Sequence, residues 1–202
     1  MSGSRGRTAE LERARKAEEK AAAKEAELRR KSALWVIIGL AVVAALIAFI
    51  VTRPPPPGEV FADLGNQHLP DPADAHAPYN SSPPSSGPHW GGLAQWGESA
   101  EPIPPEIFVH NLEDGGIVLA YDCEAGCDEI TDGMRATLED LGVDRLIMTP
   151  YSGITDPDGV SHRGAVVAWT RVFYFDDWSQ EAESTIDDFI SLFRFEDHHA
   201  TG

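Results

Sequence analysis

The longest apolar run is Ala33 to Thr52, ALWVIIGLAVVAALIAFIVT, twenty residues without a charge. At 1.5 Å per residue such a helix reaches about 30 Å, the thickness of a bilayer's hydrocarbon core. The pattern predicts a single transmembrane helix over 33–52. A buried core helix is rarely apolar around its whole circumference for this length. A cleavable signal has a shorter apolar region that ends in small residues. This run ends instead in Arg53 and Pro54–Pro57. No second run of that length follows.

Upstream, residues 1–32 have few apolar positions, Leu11 and Leu28 among them, and no proline. Glu12/Lys16 and Glu27/Lys31 stand four apart in the favourable order. This predicts a solvated, charged helical tail without a coiled-coil seam. Downstream, the prolines of 53–60 predict an extended linker. From Gly58 to Pro105 periodicity is weak and Pro and Gly are frequent. Tyr79, Trp90, Trp96 and three histidines argue that this is an ordered loop wrapped on the domain.

Regular patterning then begins. IFVHNL (Ile107–Leu112) and IVLAY (Ile117–Tyr121), separated by Glu-Asp-Gly-Gly, read as a hairpin. Ile130, Met134, Leu138 and Leu141 form a helical stripe over Asp128–Leu141, stopped by Gly142. Leu146–Thr149 reads as a strand and Ser152–Arg163 as a turn region. Ala165–Tyr174 reads as one strand with Ala165, Val167, Trp169, Arg171 and Phe173 on one face. Ile186, Phe189, Ile190 and Phe193 mark a last helix over Ser179–Phe193. The order β-β-α-β-β-α predicts an α+β domain over 61–195, with a mainly antiparallel sheet and helices on one face. Residues 196–202 are expected to be a flexible tail.

Charge changes this picture by giving it a direction. The whole chain carries −17, yet residues 1–32 hold ten Lys/Arg against six Glu. Residues 54–202 hold five Arg, no Lys and 27 Asp/Glu. By the positive-inside rule the basic tail is cytoplasmic and the acidic domain extracytoplasmic, in a single-pass cell-membrane protein. An acidic domain excludes nucleic acid as a partner, because phosphate binding needs a basic face. The lack of lysine in that domain excludes Schiff-base and P-loop chemistry there. G-x-S-x-G and H-E-x-x-H are absent, and Asp156-Pro157-Asp158-Gly159 lacks the EF-hand pattern.

The remaining chemistry lies in histidines set among Gly and Pro, and in two cysteines. His68 is early in the irregular stretch. His89 follows Ser-Ser-Gly-Pro, and His110 precedes Asn-Leu-Glu-Asp-Gly-Gly. Taken singly, each reads equally as a hydrogen-bonded structural residue. Cys123 and Cys127 form C-x₃-C, expected as a short disulfide in an oxidising compartment. A thiol-redox or copper(I) pair is the sharper alternative. The flanking Asp122, Glu124, Asp128 and Glu129 argue against a reactive thiolate.

YNSSPPSSGPH (Tyr79–His89) and VHNLEDGG (Val109–Gly116) resemble two blocks of the bacterial DUF3105 family, a family of unknown function found largely in anchored or exported proteins. The likeness extends over most of residues 60–195. It implies a scaffold of Tyr79, Pro83, Pro84, Gly87, Pro88, Glu113 and Gly115. It also implies histidines at the positions of His68, His89 and His110, with another where this chain has Asp114. That set, His68, His89, His110 and Asp114, makes a candidate site for a copper or zinc ion. The resulting expectation is a non-catalytic, membrane-tethered binding module. The alternatives are a structural or interaction domain for an envelope protein partner, and the thiol-redox protein.

Overall fold

Helix α1 (Gly3–Val51) opens the chain, in a computed structural model that describes residues 3–123 and 127–199. The chain divides into two units, Met1–Pro55 and Pro56–Gly202. In the first, the charged tail and the apolar run form one continuous helix. Glu25 pairs with Arg29 and Glu27 with Lys31, each one turn apart. One stretch of α1, ending at Val51, is long and apolar enough to cross a membrane. Its apolar side chains are exposed in the isolated chain.

The second unit is built on a six-stranded sheet in the order β1-β8-β7-β5-β6-β4. The strands are β1 (Glu59–Val60), β4 (Gly97–Glu98), β5 (Ile117–Tyr121), β6 (Leu146–Pro150), β7 (Gly164–Ala168) and β8 (Arg171–Phe175). The α+β class holds, but the sheet is mixed where a mainly antiparallel one was expected. β1, β8, β7 and β5 run antiparallel to their neighbours, whereas β5, β6 and β4 are parallel. The physical reason is α3 (Asp128–Leu141), which carries the chain from β5 back to the start of β6 as a crossover. Glu59 and Val60, expected as linker, form the edge strand β1.

Helices cover both faces of the sheet, not one. On one face, Ile117 and Leu119 of β5 pack with Ile130, Met134 and Leu138 of α3 and with Ile186, Phe189 and Ile190 of α4 (Gln180–Phe193). On the other face, Val118 and Ala120 pack with Phe108, Val109 and Leu112. Burial on both sides explains why β5 reads as an unbroken apolar run.

The opposite face is covered by α2 (Pro105–Glu113), the segment expected to be the first strand of a hairpin. Pro105 sits in the first turn, where its missing N–H costs nothing. Phe108, Val109 and Leu112 then fall on one helical face, and all three are fully buried. The helix ends where the N–H of Asp114 reaches His110 O and that of Gly116 reaches Asn111 O. Gly115 has φ +76, and a Cβ there would lie 2.6 Å from the Glu196 carbonyl.

Ala165–Tyr174 is likewise not one strand but the hairpin β7–β8, turned at Trp169-Thr170. Thr170 has φ +59, and its N–H donates to Ser85 O at 2.9 Å. The turn shifts the parity of the side chains. Val172 therefore joins Val167 on the α2 face, while Phe173 and Phe175 pack with α3 and α4. The tail expected to be flexible is held as far as His199, with Phe195 N–H on Gly115 O and His198 N–H on Glu113 O.

Candidate metal centre

Two local structures deliver side chains to one point. The first is a small parallel pair, β2 (His68–Leu69) and β3 (His89–Trp90), whose register sets His68 opposite His89. The second is α2, in which His110 and Glu113 are three residues apart and so share a face. The loop leading to β3 is held by packing and by a hydrogen bond. Pro83, Pro84 and Gly87 are buried, and the Tyr79 hydroxyl donates to Pro88 O at 2.7 Å. Gly87 has φ +125, and a Cβ there would press on the Tyr79 ring at 3.2 Å.

The three imidazoles form a near-equilateral triangle, with ring centroids 5.0, 5.0 and 5.1 Å apart. Their nitrogens surround one carboxylate oxygen. Glu113 Oε2 lies 3.0 Å from His89 Nε2, 3.4 Å from His68 Nε2 and 3.6 Å from His110 Nδ1. His89 Nε2 is 3.1 Å from His110 Nδ1. All four ligand atoms fall within 4.8 Å of one another. A tetrahedral ion with bonds of about 2.0–2.1 Å sets its ligand atoms about 3.3–3.4 Å apart, in the middle of the close contacts here.

The groups behind the ligands fix their orientation. His89 Nδ1–H donates to Gly87 O at 2.8 Å, which leaves the Nε2 lone pair facing inward. Asn66 Nδ2–H donates to Glu113 Oε1 at 2.6 Å, which leaves Oε2 to the cluster. The His89 and Glu113 side chains are 0% and 1% exposed, whereas His68 is 48% exposed. The centre is thus a buried seat with one side open to water.

Electrostatics follow from that burial. Desolvation holds His89 below the ordinary imidazole range, against the Gly87 carbonyl and Glu113, which favour its charged form. His110 is lowered by burial and then by the nearby His89. Burial alone would raise the Glu113 carboxyl. The Asn66 amide and the imidazoles of His199, His89 and His68 outweigh it and hold the carboxyl low. Imidazole nitrogens gathered around a carboxylate are a donor set that could hold a divalent transition ion.

Of the expected ligands, His68, His89 and His110 are brought together. Asp114 is turned to a neighbouring group with His110 and His199. Glu113, expected only as scaffold, stands in the ligand position. Sequence reading missed it because a strand would place His110 and Glu113 on opposite faces. His199 was missed because it lies beyond the periodic segments. Cys123 and Cys127 are joined as a disulfide with Cα atoms 5.9 Å apart, and Cys127 is the residue just before α3.

The fold and the cluster together define a mixed α+β domain carrying a cluster of three histidines and one carboxylate, buried except at His68. The model of the family described as "Protein of unknown function (DUF3105)" matches residues 72–201, more than half the chain, and the protein belongs to that family. The matched span contains His89, His110 and Glu113 and begins just after His68. No curated protein and no solved structure matched the chain.

Proposed function

We propose that the second unit is a non-catalytic metal-binding module, held at the cell membrane by α1. It seats one zinc- or copper-class divalent ion on His68, His89, His110 and Glu113. The observation that carries this reading is the convergence of those four side chains, their ligand atoms within 4.8 Å of one another, with tautomer and carboxylate oriented from behind. Nitrogen-rich ligation without sulfur favours Zn²⁺ or Cu²⁺ over Cu⁺. Zn²⁺ favours four such ligands in a tetrahedron, and Cu²⁺ competes through its higher intrinsic affinity for such donors. The test is metal analysis of the full chain in detergent after stripping with a chelator, reloading and gel filtration. The expected result is about one tightly held ion per chain, lost in His89→Ala. A reloaded protein that retains no ion, or a His89→Ala variant that retains it equally, overturns the reading.

The anchoring part of the proposal is supported by the apolar portion of α1. Arg29, Arg30 and Lys31 precede that portion and only Arg53 follows it closely, so the rule of positive flanks sets the domain outside the cytoplasm. A Cys123–Cys127 disulfide agrees with an oxidising compartment. A C-terminal reporter that works only outside the cytoplasm is expected to be active. Activity of a cytoplasm-only reporter at the same position would reverse the orientation.

A further inference from the structure

We propose that the centre has a second ion position, nearer solvent, formed by Asp114 and the tail residue His199 beside His110 and Glu113. This rests on the reading of His68, His89, His110 and Glu113 as a metal seat, and extends it.

His199 is placed by construction. Phe195 N–H donates to Gly115 O at 2.7 Å and His198 N–H to Glu113 O at 2.8 Å, which stitches the tail to the end of α2. The His198 ring stacks on Trp169, with centroids 5.8 Å apart. The next residue is thereby delivered beside His110 and Glu113. Its tautomer is also set, since Nδ1–H donates to Asp197 Oδ1 at 2.7 Å. That carboxylate–imidazole pair is the usual support of a metal-ligating histidine.

His199 Nε2 then faces the carboxylates of Asp114 and Glu113. It lies 3.6 Å from Asp114 Oδ1 and 3.7 Å from Glu113 Oε2. Neither distance is a hydrogen bond. Both are separations that a shared cation would create. One ligand atom from each of His110, Asp114 and His199 lies within 4.8 Å of the others. Glu113 Oε2 borders both groups, so the carboxylate bridges the two positions, as in sites whose ions are about 3.5–4 Å apart.

The two positions differ in strength. His199 and Asp114 are 45% and 20% exposed, against 1% for Glu113. Arg145 Nη1 also stands 3.6 Å from Asp114 Oδ2 and opposes a cation there. The outer position is therefore the weaker and the faster to exchange with solution.

Calorimetric titration of Zn²⁺ into the chelator-stripped full chain in detergent tests this. The expected result is two ions per chain, one tight and one weak. His199→Gln and Asp114→Asn should each abolish the weak event and leave the tight one, which also shows that the variants are folded. A wild-type chain that binds a single ion, or variants that still bind two, overturns the second position alone. A chain with no tight event overturns the underlying metal reading as well.

Discussion

Glu113 is a carboxylate with almost no contact with water, and an unpaired charge in that state costs roughly several kcal/mol. Its Oε1 is satisfied by the Asn66 amide, and its Oε2 faces the imidazoles of His89 and His68. Removing the amide leaves the charge in place but frees its orientation. Asn66→Ala is therefore expected to weaken metal affinity roughly 10- to 100-fold without abolishing binding. Competition with a chromophoric chelator measures this, and unchanged affinity would show that the amide does not orient the ligand. Gly115 is constrained differently, by a left-handed φ and by the backbone of Glu196. Gly115→Ala is expected to lower stability by at least about 1 kcal/mol and to loosen the tail, read as a fall in the urea midpoint.

At the scale of elements, what could be read from the chain was set by how far each segment stands from a turn or a proline. α3 and α4 were legible because Ile130, Met134 and Leu138, and then Ile186, Phe189 and Ile190, repeat at helical spacing over fourteen residues each. α2 spans nine residues and is apolar at adjacent positions, so its pattern suits a strand equally well. Only the following burial of Phe108, Val109 and Leu112 on one side decides for a helix. That single difference also hid the site, because helical spacing is what sets Glu113 beside His110. The three histidines were legible as candidates, whereas their meeting depended on the β2–β3 register and on α2 being a helix. The two-faced core gives a direct check. Phe108→Ala on one side and Phe189→Ala on the other should each cost about 3–5 kcal/mol. With the sheet between them, their effects on the denaturation midpoint should add. The Cys123–Cys127 link closes a short loop before α3 and is expected to contribute about 2 kcal/mol. Protein purified without reductant should then show no free thiol; two reactive thiols would contradict the link.

At the scale of the whole molecule, stability and protonation are linked, and the proposed ion would be linked to both. Residues 54–202 carry 27 acidic residues against five arginines, so acid titration of the domain is watched over a strongly negative background. Two buried imidazoles and the half-buried His198 dominate between neutral pH and pH 5. His89, His110 and His198 are all held below the ordinary value of 6.5, chiefly by burial. The unfolded chain takes up protons at those positions before the folded one does. Falling pH therefore favours unfolding, starting near 6.5 and levelling off below the lowered folded values. Glu113 acts in the same direction at more acid pH, since its lowered carboxyl gives stability that is lost as pH falls through its folded value. His199 acts oppositely. Its raised value, caused first by Asp197, gives stability that is lost as pH rises through it, but the group is exposed and its effect is screened. The chelator-treated chain should thus lose denaturation midpoint steadily from pH 7.5 to 5.5. Added Zn²⁺ should raise the midpoint more at pH 7.5 than at 5.5, because the ion and the protons compete for the same lone pairs. At a free ion concentration about 100 times the dissociation constant, that gain is about 2.7 kcal/mol. A midpoint that ignores both pH and Zn²⁺ would mean that the imidazoles are neither desolvated nor gathered around an ion.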